Sequence, residues 1–243
     1  MDDLVDGQFD PEQTQLSAAQ ASIAATTCLT VLPRMLIDQA ELHSRVRTLW
    51  INELTQGDLR CAEGQLTDVA QASTPRWRDV VQSYAGKTGA PYGRDAVLAA
   101  SLAGVQGEGL RGWRSFGLLF GVLRQCANDR GARDPEHDTD LANATMTLLL
   151  AYALEYLPTE DADRLKAMHA RCRAEPTARR AVWKTMRDAD IVEGYNARLS
   201  VIGRRLNELL ETLAPPSPHR DVIHWLIETS VESGRVPLLE NPK

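Results

Sequence analysis

Gly117-Leu118-Leu119-Phe120-Gly121-Val122-Leu123-Arg124-Gln125-Cys126-Ala127-Asn128-Asp129 is the stretch whose reading decides the fold. Upstream of it stand Lys87-Thr88-Gly89-Ala90 and a run of small residues from Ala96 to Gly104, and downstream an acidic loop leads to Asp140-Leu141. Trp113, Phe116, Leu119, Phe120 and Leu123 recur three or four positions apart, which puts them on one face of a helix from about Leu110 to Asn128. The turn Gly104 to Gly109 precedes that helix, and Gly86 to Gly93, with Pro91, breaks or bends the one before it.

The same periodicity extends in both directions. Residues 1–15 are polar and acidic and form a loosely held lead-in. Ser17 is an N-cap candidate for an Ala-, Thr- and Leu-rich run to Leu36, expected as a buried helix that Pro33 kinks or ends. From Glu41 to Ala72, the positions Val46, Leu49, Trp50, Leu54, Leu59, Leu66 and Val69 mark a long amphipathic helix, weakened at Gly57 and Gly64. Thr74-Pro75 is the start signal for the next, carrying Trp77, Val80, Val81 and Tyr84. Asp140 to Leu157 predicts an apolar helix and Thr159 to Cys172 a shorter one. Pro176 opens a long helix whose seam steps from Val182 and Met186 to Leu213, and His219 to Glu232 closes the chain. No strand-like alternation competes and no repeat is evident, so the expectation is an all-α helical bundle, with residues 16–243 as a single domain.

Composition narrows the function classes. The 243 residues, 43% hydrophobic, suffice for one sizeable core. A formal charge of -6 offers no basic face for nucleic acid. Cys28, Cys61, Cys126 and Cys172 are dispersed, without Cys-x-x-Cys spacing, and favour a reduced cytoplasmic protein over a disulfide framework or zinc site. The acidic N-terminus lacks the order of a signal peptide. No unbroken apolar run reaches the roughly 20 residues of a membrane-crossing helix, so no transmembrane segment is expected.

The order Lys87-Thr88-Gly89, then Gly117-x-x-Phe120 with its polar tail, then Asp140-Leu141, resembles the trans-isoprenyl diphosphate synthases, the polyprenyl synthetase family. There a Lys-Thr-Gly or Lys-Thr-Ala kink is followed one helix later by Gly-x-x-Phe-Gln-x-x-Asp-Asp-x-x-Asp and a loop ending in Asp-Leu. Gly64-Gln65-Leu66-Thr67-Asp68 is similar to a further family segment. The resemblance covers roughly Ser17 to the C-terminus and implies an isoprenoid synthase fold, N-terminally shortened.

It also implies a site and withholds its chemistry. The family holds magnesium ions on two aspartate-rich motifs against an allylic diphosphate, and the metals draw diphosphate away from an allylic carbon. Here Arg124, Gln125 and Asn128 stand for the three aspartates of the second motif and Gly121 for its glutamine, while Asp129 lies one position, about 100°, further round the helix. Nothing from Gln13 to Leu59 resembles Asp-Asp-x-x-Asp, and the basic residues that bind isopentenyl diphosphate have no counterpart. Magnesium, expected for the family, has lost its ligands, so no cofactor is assigned. Lys87 and Thr88, which the resemblance places on the allylic diphosphate, and Arg124 are the diphosphate-binding candidates; Gln125, Asn128 and Asp129 form the degenerate metal motif. Lys87-Thr88-Gly89 reads equally as a helix kink with an exposed lysine, and Arg124 as an anion ligand or as the partner of Asp129 or Asp134.

Asp134, Glu136, Asp138 and Asp140 read as a solvated acidic loop or, less simply, as a metal cluster. The five histidines lack metal-ligand spacing, no nucleophile has an identifiable base, and the tryptophans fall on apolar stripes as core residues. The functional expectation is a non-catalytic or strongly diverged homologue that binds a prenyl diphosphate or a partner synthase. The alternatives are an active prenyltransferase or terpene-type enzyme with a non-standard site, and a ligand-free helical scaffold. A chain without the family's first helices exposes core surface, which implies a homodimer or a heterodimer with a full-length synthase.

Overall fold

The computed structural model describes residue 4 and residues 9–70, 76–130 and 134–238. Among these, helices dominate and no strand occurs. The Thr74-Pro75 start signal lies outside the described residues. Two compact units, Met1–Asp58 and Leu59–Lys243, divide the chain.

In the first unit, Asp10 caps α1 (Pro11–Thr14), accepting from the backbone N–H groups of Glu12 and Gln13. Ser17 opens α2 (Ala18–Thr26) with a reciprocal capping box: its hydroxyl accepts from the Gln20 N–H, and the Gln20 side chain accepts from the Ser17 N–H. A π-helical turn, Thr27–Val31, carries α2 into α3 (Leu32–Gln39), so Pro33 neither ends nor breaks the helix. A proline has no N–H for the carbonyl four residues back, and the wider turn, in which the Leu32 N–H bonds the Thr27 carbonyl, absorbs the defect.

One expectation fails on this helix. It is not buried: Ile23 is 68% exposed and Leu36 66%, with Leu29, Val31, Leu32 and Met35 also open. Its 22 residues from Ala18 to Gln39 have a mean hydropathy of 1.2 and are long and apolar enough to cross a membrane by length and composition. Counting unbroken apolar runs missed this, because Thr, Ser and Gln interrupt the run without contributing charge; none occurs between Glu12 and Arg34. After a linker, α4 runs from Ser44 to Ala70, and its Arg47 donates back to the Ala40 carbonyl at 2.9 Å.

The second unit is built on two helices that approach unusually closely. One is continuous from α5 (Trp77–Tyr84) through a second π turn (Ala85–Gly89) into α6 (Ala90–Leu102). The glycines do not break it. Like the first π turn, this one ends two residues before a proline, Pro91; the carbonyl Pro91 cannot serve is that of Lys87, which accepts instead from the Cys61 thiol at 3.2 Å. The other helix is α7 (Glu108–Asn128), entered through Gly107 at φ 57°. A Cβ on Gly121 would stand 2.6 Å from the Gly89 Cα, and one on Gly117 2.7 Å from the Gly93 Cα. On α4, a Cβ on Gly64 would lie 2.8 Å from the Gly86 Cα. These glycines are contact surfaces at which backbone meets backbone.

The remaining helices enclose α9 (Leu148–Tyr156), buried from Leu148 to Ala153. Two expected helices are each divided. Asp140 to Leu157 splits into α8 (Thr139–Ala142) and α9, because Asp138 and Thr147 each cap a new start and Ala144, at φ 52°, turns between them. The long helix from Pro176 becomes α11 (Pro176–Met186) and α12 (Ala189–Leu213), with Asp188 accepting from the Asp190 N–H at the new start. Before them lies α10 (Thr159–His169), and after them α13 (Pro218–Gly234). Leu123, Cys126, Leu150, Val182, Tyr195, Leu199, Leu206 and Ile227 form the common core. Trp77, Trp113 and Trp183 pack against that core, but Trp225 is 60% exposed, so the expectation that every tryptophan is core fails there.

Two measurements follow from this packing. Gly121→Ala gains about 1 kcal/mol of helix propensity but forces apart backbone atoms that no rotamer can relieve, so net destabilisation of about 1–3 kcal/mol is expected in urea titration. An unchanged midpoint would show that the helices are not in contact. His169, whose ring lies 3.2 Å from the Thr145 carbonyl, is held below its usual pKa of 6.5 by burial. A depressed folded pKa means that stability is fully present above 6.5 and is lost as pH falls through the folded value. The urea midpoint of wild type should therefore fall more steeply between pH 7 and pH 5 than that of His169→Gln; parallel curves would remove His169 from the acid response.

Candidate functional site

The close approach at Gly121 brings the π turn of α5–α6 against the last two turns of α7, and the polar residues of both segments meet there. Tyr84 and Thr88 are four apart on one helix, and Gln125 and Asp129 four apart on the other, so each pair shares a face. The Thr88 hydroxyl donates to Gln125 Oε1. Gln125 Nε2 donates to Asp129 Oδ1 at 2.7 Å. Asp129 Oδ2 accepts from the Tyr84 hydroxyl, whose oxygen in turn accepts from the Leu148 N–H at 3.0 Å, at the start of α9. One chain of hydrogen bonds thus ties three segments.

The electrostatics of this chain keep its phenol neutral. Burial first, and the Asp129 charge second, push the Tyr84 pKa well above its ordinary value. Next to it Cys126 is pushed up to about 12 by burial and then by Asp129, and Tyr195, raised for the same first reason, hydrogen-bonds it. A neutral buried thiol is no nucleophile at neutral pH.

The residues expected as a site do not all converge. Thr88, Gln125 and Asp129 meet. Asn128 is exposed, turned away from that face. Arg124 is exposed and donates to Ser230 Oγ on α13 at 3.4 Å, so it pairs with neither Asp129 nor Asp134. Lys87 is half-buried, with its carbonyl engaged by Cys61. Tyr84 was not singled out as a site residue; the signal was its i,i+4 relation to Thr88. The acidic loop is likewise engaged: Asp134 accepts from the His137 ring at 2.8 Å, which holds its carboxyl below the ordinary value, and Glu136 pairs with Arg180. Asp138 is buried and caps α8. Among the described residues no group of three or more His, Cys, Asp or Glu side chains is placed to hold a metal ion.

The magnesium of the resembled family does not fit. It demands several oxygen ligands, whereas Arg124 brings positive charge, the Gln125 oxygen accepts from Thr88, and both carboxylate oxygens of Asp129 accept protein hydrogen bonds. A magnesium-bound diphosphate therefore has no ligand set at these positions.

No protein-family model and no curated protein matches the chain. Solved structures do. A geranylgeranyl pyrophosphate synthase from Lactobacillus brevis superposes with a TM-score of 0.75 at 17% identity, over 95% of this chain and 73% of its own. A polyprenyl synthetase from Streptomyces coelicolor gives a TM-score of 0.73 at 17% identity, covering 87% of this chain and 66% of that one. A geranylgeranyl pyrophosphate synthetase from Pyrococcus horikoshii gives 0.68 at 18% identity, over 81% of this chain. The chain spans 62% of that last protein, less than two thirds of its length. With an all-α architecture and these superpositions, the chain has the isoprenoid synthase fold.

Proposed function

We propose that this chain is a non-catalytic or strongly diverged polyprenyl-synthetase-like protein, acting in isoprenoid metabolism as a binding or partner subunit for prenyl diphosphates or for a full-length synthase. The observation that supports the reading is the hydrogen-bond chain Thr88–Gln125–Asp129–Tyr84, in which Gln125, at the position of one of the resembled family's metal-facing aspartates, is engaged by protein groups on both sides. The fold supports a prenyl ligand, since one structural neighbour is a polyprenyl synthase from Caulobacter crescentus complexed with calcium and isoprenyl diphosphate.

Association is part of the same reading. Ile23, Leu29, Leu32, Met35 and Leu36 are exposed on one continuous helix, and Leu59 and Leu66 are exposed on α4. So much open apolar surface is uncommon on a monomer in water and calls for a second protein surface.

Turnover and mass test these claims. With isopentenyl diphosphate, magnesium and dimethylallyl, geranyl or farnesyl diphosphate, the chain alone should incorporate no radiolabel; EDTA-sensitive product would overturn the non-catalytic reading. Light scattering across a hundredfold dilution should give twice the 26.8 kDa chain mass, or a mixed complex when a full-length synthase is added. A mass of 26.8 kDa throughout, with no added synthase retained, would refute association.

A further inference from the structure

Beside the Thr88–Gln125–Asp129 chain, the carboxyl ends of α7, α11 and α13 converge on one open cavity of about 480 Å³, which Arg130, Arg187 and Arg235 line together with Val236 and Leu238. That volume is within the range of small-molecule sites, roughly 300–1,000 Å³. The arginines come from three helix ends far apart in sequence. A cation after a helix is an ordinary complement to its negative pole, and that explains one arginine per helix but not three on one cavity. Glu232 is the sole acid among the described lining residues, and it lies 3.4 Å from the Arg235 guanidinium. Asp129, Asp138 and Asp140 line an adjoining narrow crevice that shares Arg130 and Arg187.

Two of the three arginines are held in place. Arg187 is only 5% exposed and its guanidinium stacks 4.9 Å from the centre of the Trp183 ring. Arg235 donates to Ser200 Oγ at 3.1 Å. Asn196 clamps the segment after α13 with two 3.0 Å hydrogen bonds, its Nδ2 donating to the Val236 carbonyl and its Oδ1 accepting from the Val236 N–H. Burial depresses the Arg187 pKa, while the attraction of Asp138 outweighs the repulsion of Arg130 there.

We propose that this cavity binds a phosphate-bearing anion, with the guanidiniums of Arg130, Arg187 and Arg235 on the phosphoryl oxygens and any apolar portion along Val236, Pro237 and Leu238. Guanidinium forks match phosphoryl oxygens two at a time and need no metal ion to do so. The inference is independent of the prenyl reading, since the anion alone suffices.

Calorimetry on the full chain in EDTA-containing buffer, with inorganic pyrophosphate and with geranyl diphosphate, tests it and separates the two sources of the chemistry. Pyrophosphate should bind, and the doubly substituted Arg130→Gln/Arg235→Gln protein should bind it at least about tenfold more weakly. Both side chains are solvent-exposed, so a circular-dichroism melt should show that variant folded. Leu238→Ser should weaken geranyl diphosphate alone, if the apolar wall holds the organic portion. No pyrophosphate binding by wild type up to millimolar concentration overturns the proposal. So does affinity that is unchanged in the double variant but lost in Lys87→Ala or Arg124→Ala, which would locate the anion at the helix kink instead.

Discussion

The second unit depends on one steric constraint, the approach of α7 to the π turn and α6 at a distance that only glycine permits. Gly117 and Gly121 face Gly93 and Gly89, so two backbones touch where side chains would ordinarily hold helices 8–10 Å apart. The polar chain from Thr88 to Leu148 exists because of that approach, since neither the short Thr88 hydroxyl nor the Gln125 amide could bridge a conventional helix crossing. The hydrophobic side of α7, with Phe116, Leu123 and Cys126, then falls to the core.

How much was legible follows from what each residue needs in order to express its role. Helical periodicity needs only neighbours in sequence, and α4, α7, α10 and α13 emerged from it with boundaries within a few residues. Glycine as a contact surface needs its partner helix, so Gly64 and Gly86 to Gly93 read as weak points and breakers when they are crossing points. Capping residues inside apolar stripes were also hidden: Thr147 and Asp188 each start a helix within a pattern that continues to step by three and four across them. The apolar run from Ser17 to Leu36 was misread as buried because composition states that a surface wants cover without stating what covers it.

The functional positions divide in the same way. The resemblance grouped Thr88, Gln125 and Asp129, three residues that meet in the fold, and the loss of acidic ligands was visible in the letters themselves. What the letters did not show is that Gln125, the one substituted residue that joins this group, is tied to Thr88 and Asp129 in a chain that Tyr84 extends to the start of α9. A buried network in which each member has a partner is a stabilising element, whereas a half-satisfied one would cost the unit several unpaired groups. The arginine cavity was out of reach of sequence reading altogether, because its three cations follow three different helices and meet only through the packing of their ends.

The π turn at Ala85–Gly89 makes chain length itself a structural variable. A π turn carries one residue more than the α-helix would, and each residue turns the helix by about 100°. Removing a single residue between Ala85 and Gly89 would let the segment relax to a plain α-helix and rotate all of α6 against α5. Gly93 would then leave its place opposite Gly117, and a bulkier side chain, Tyr92 or Arg94, would swing toward the crossing. Substitutions along this helix act one position at a time, but a deletion here would rephase every contact downstream of it, so the segment is held to a fixed number of residues even where it tolerates changes in their identity.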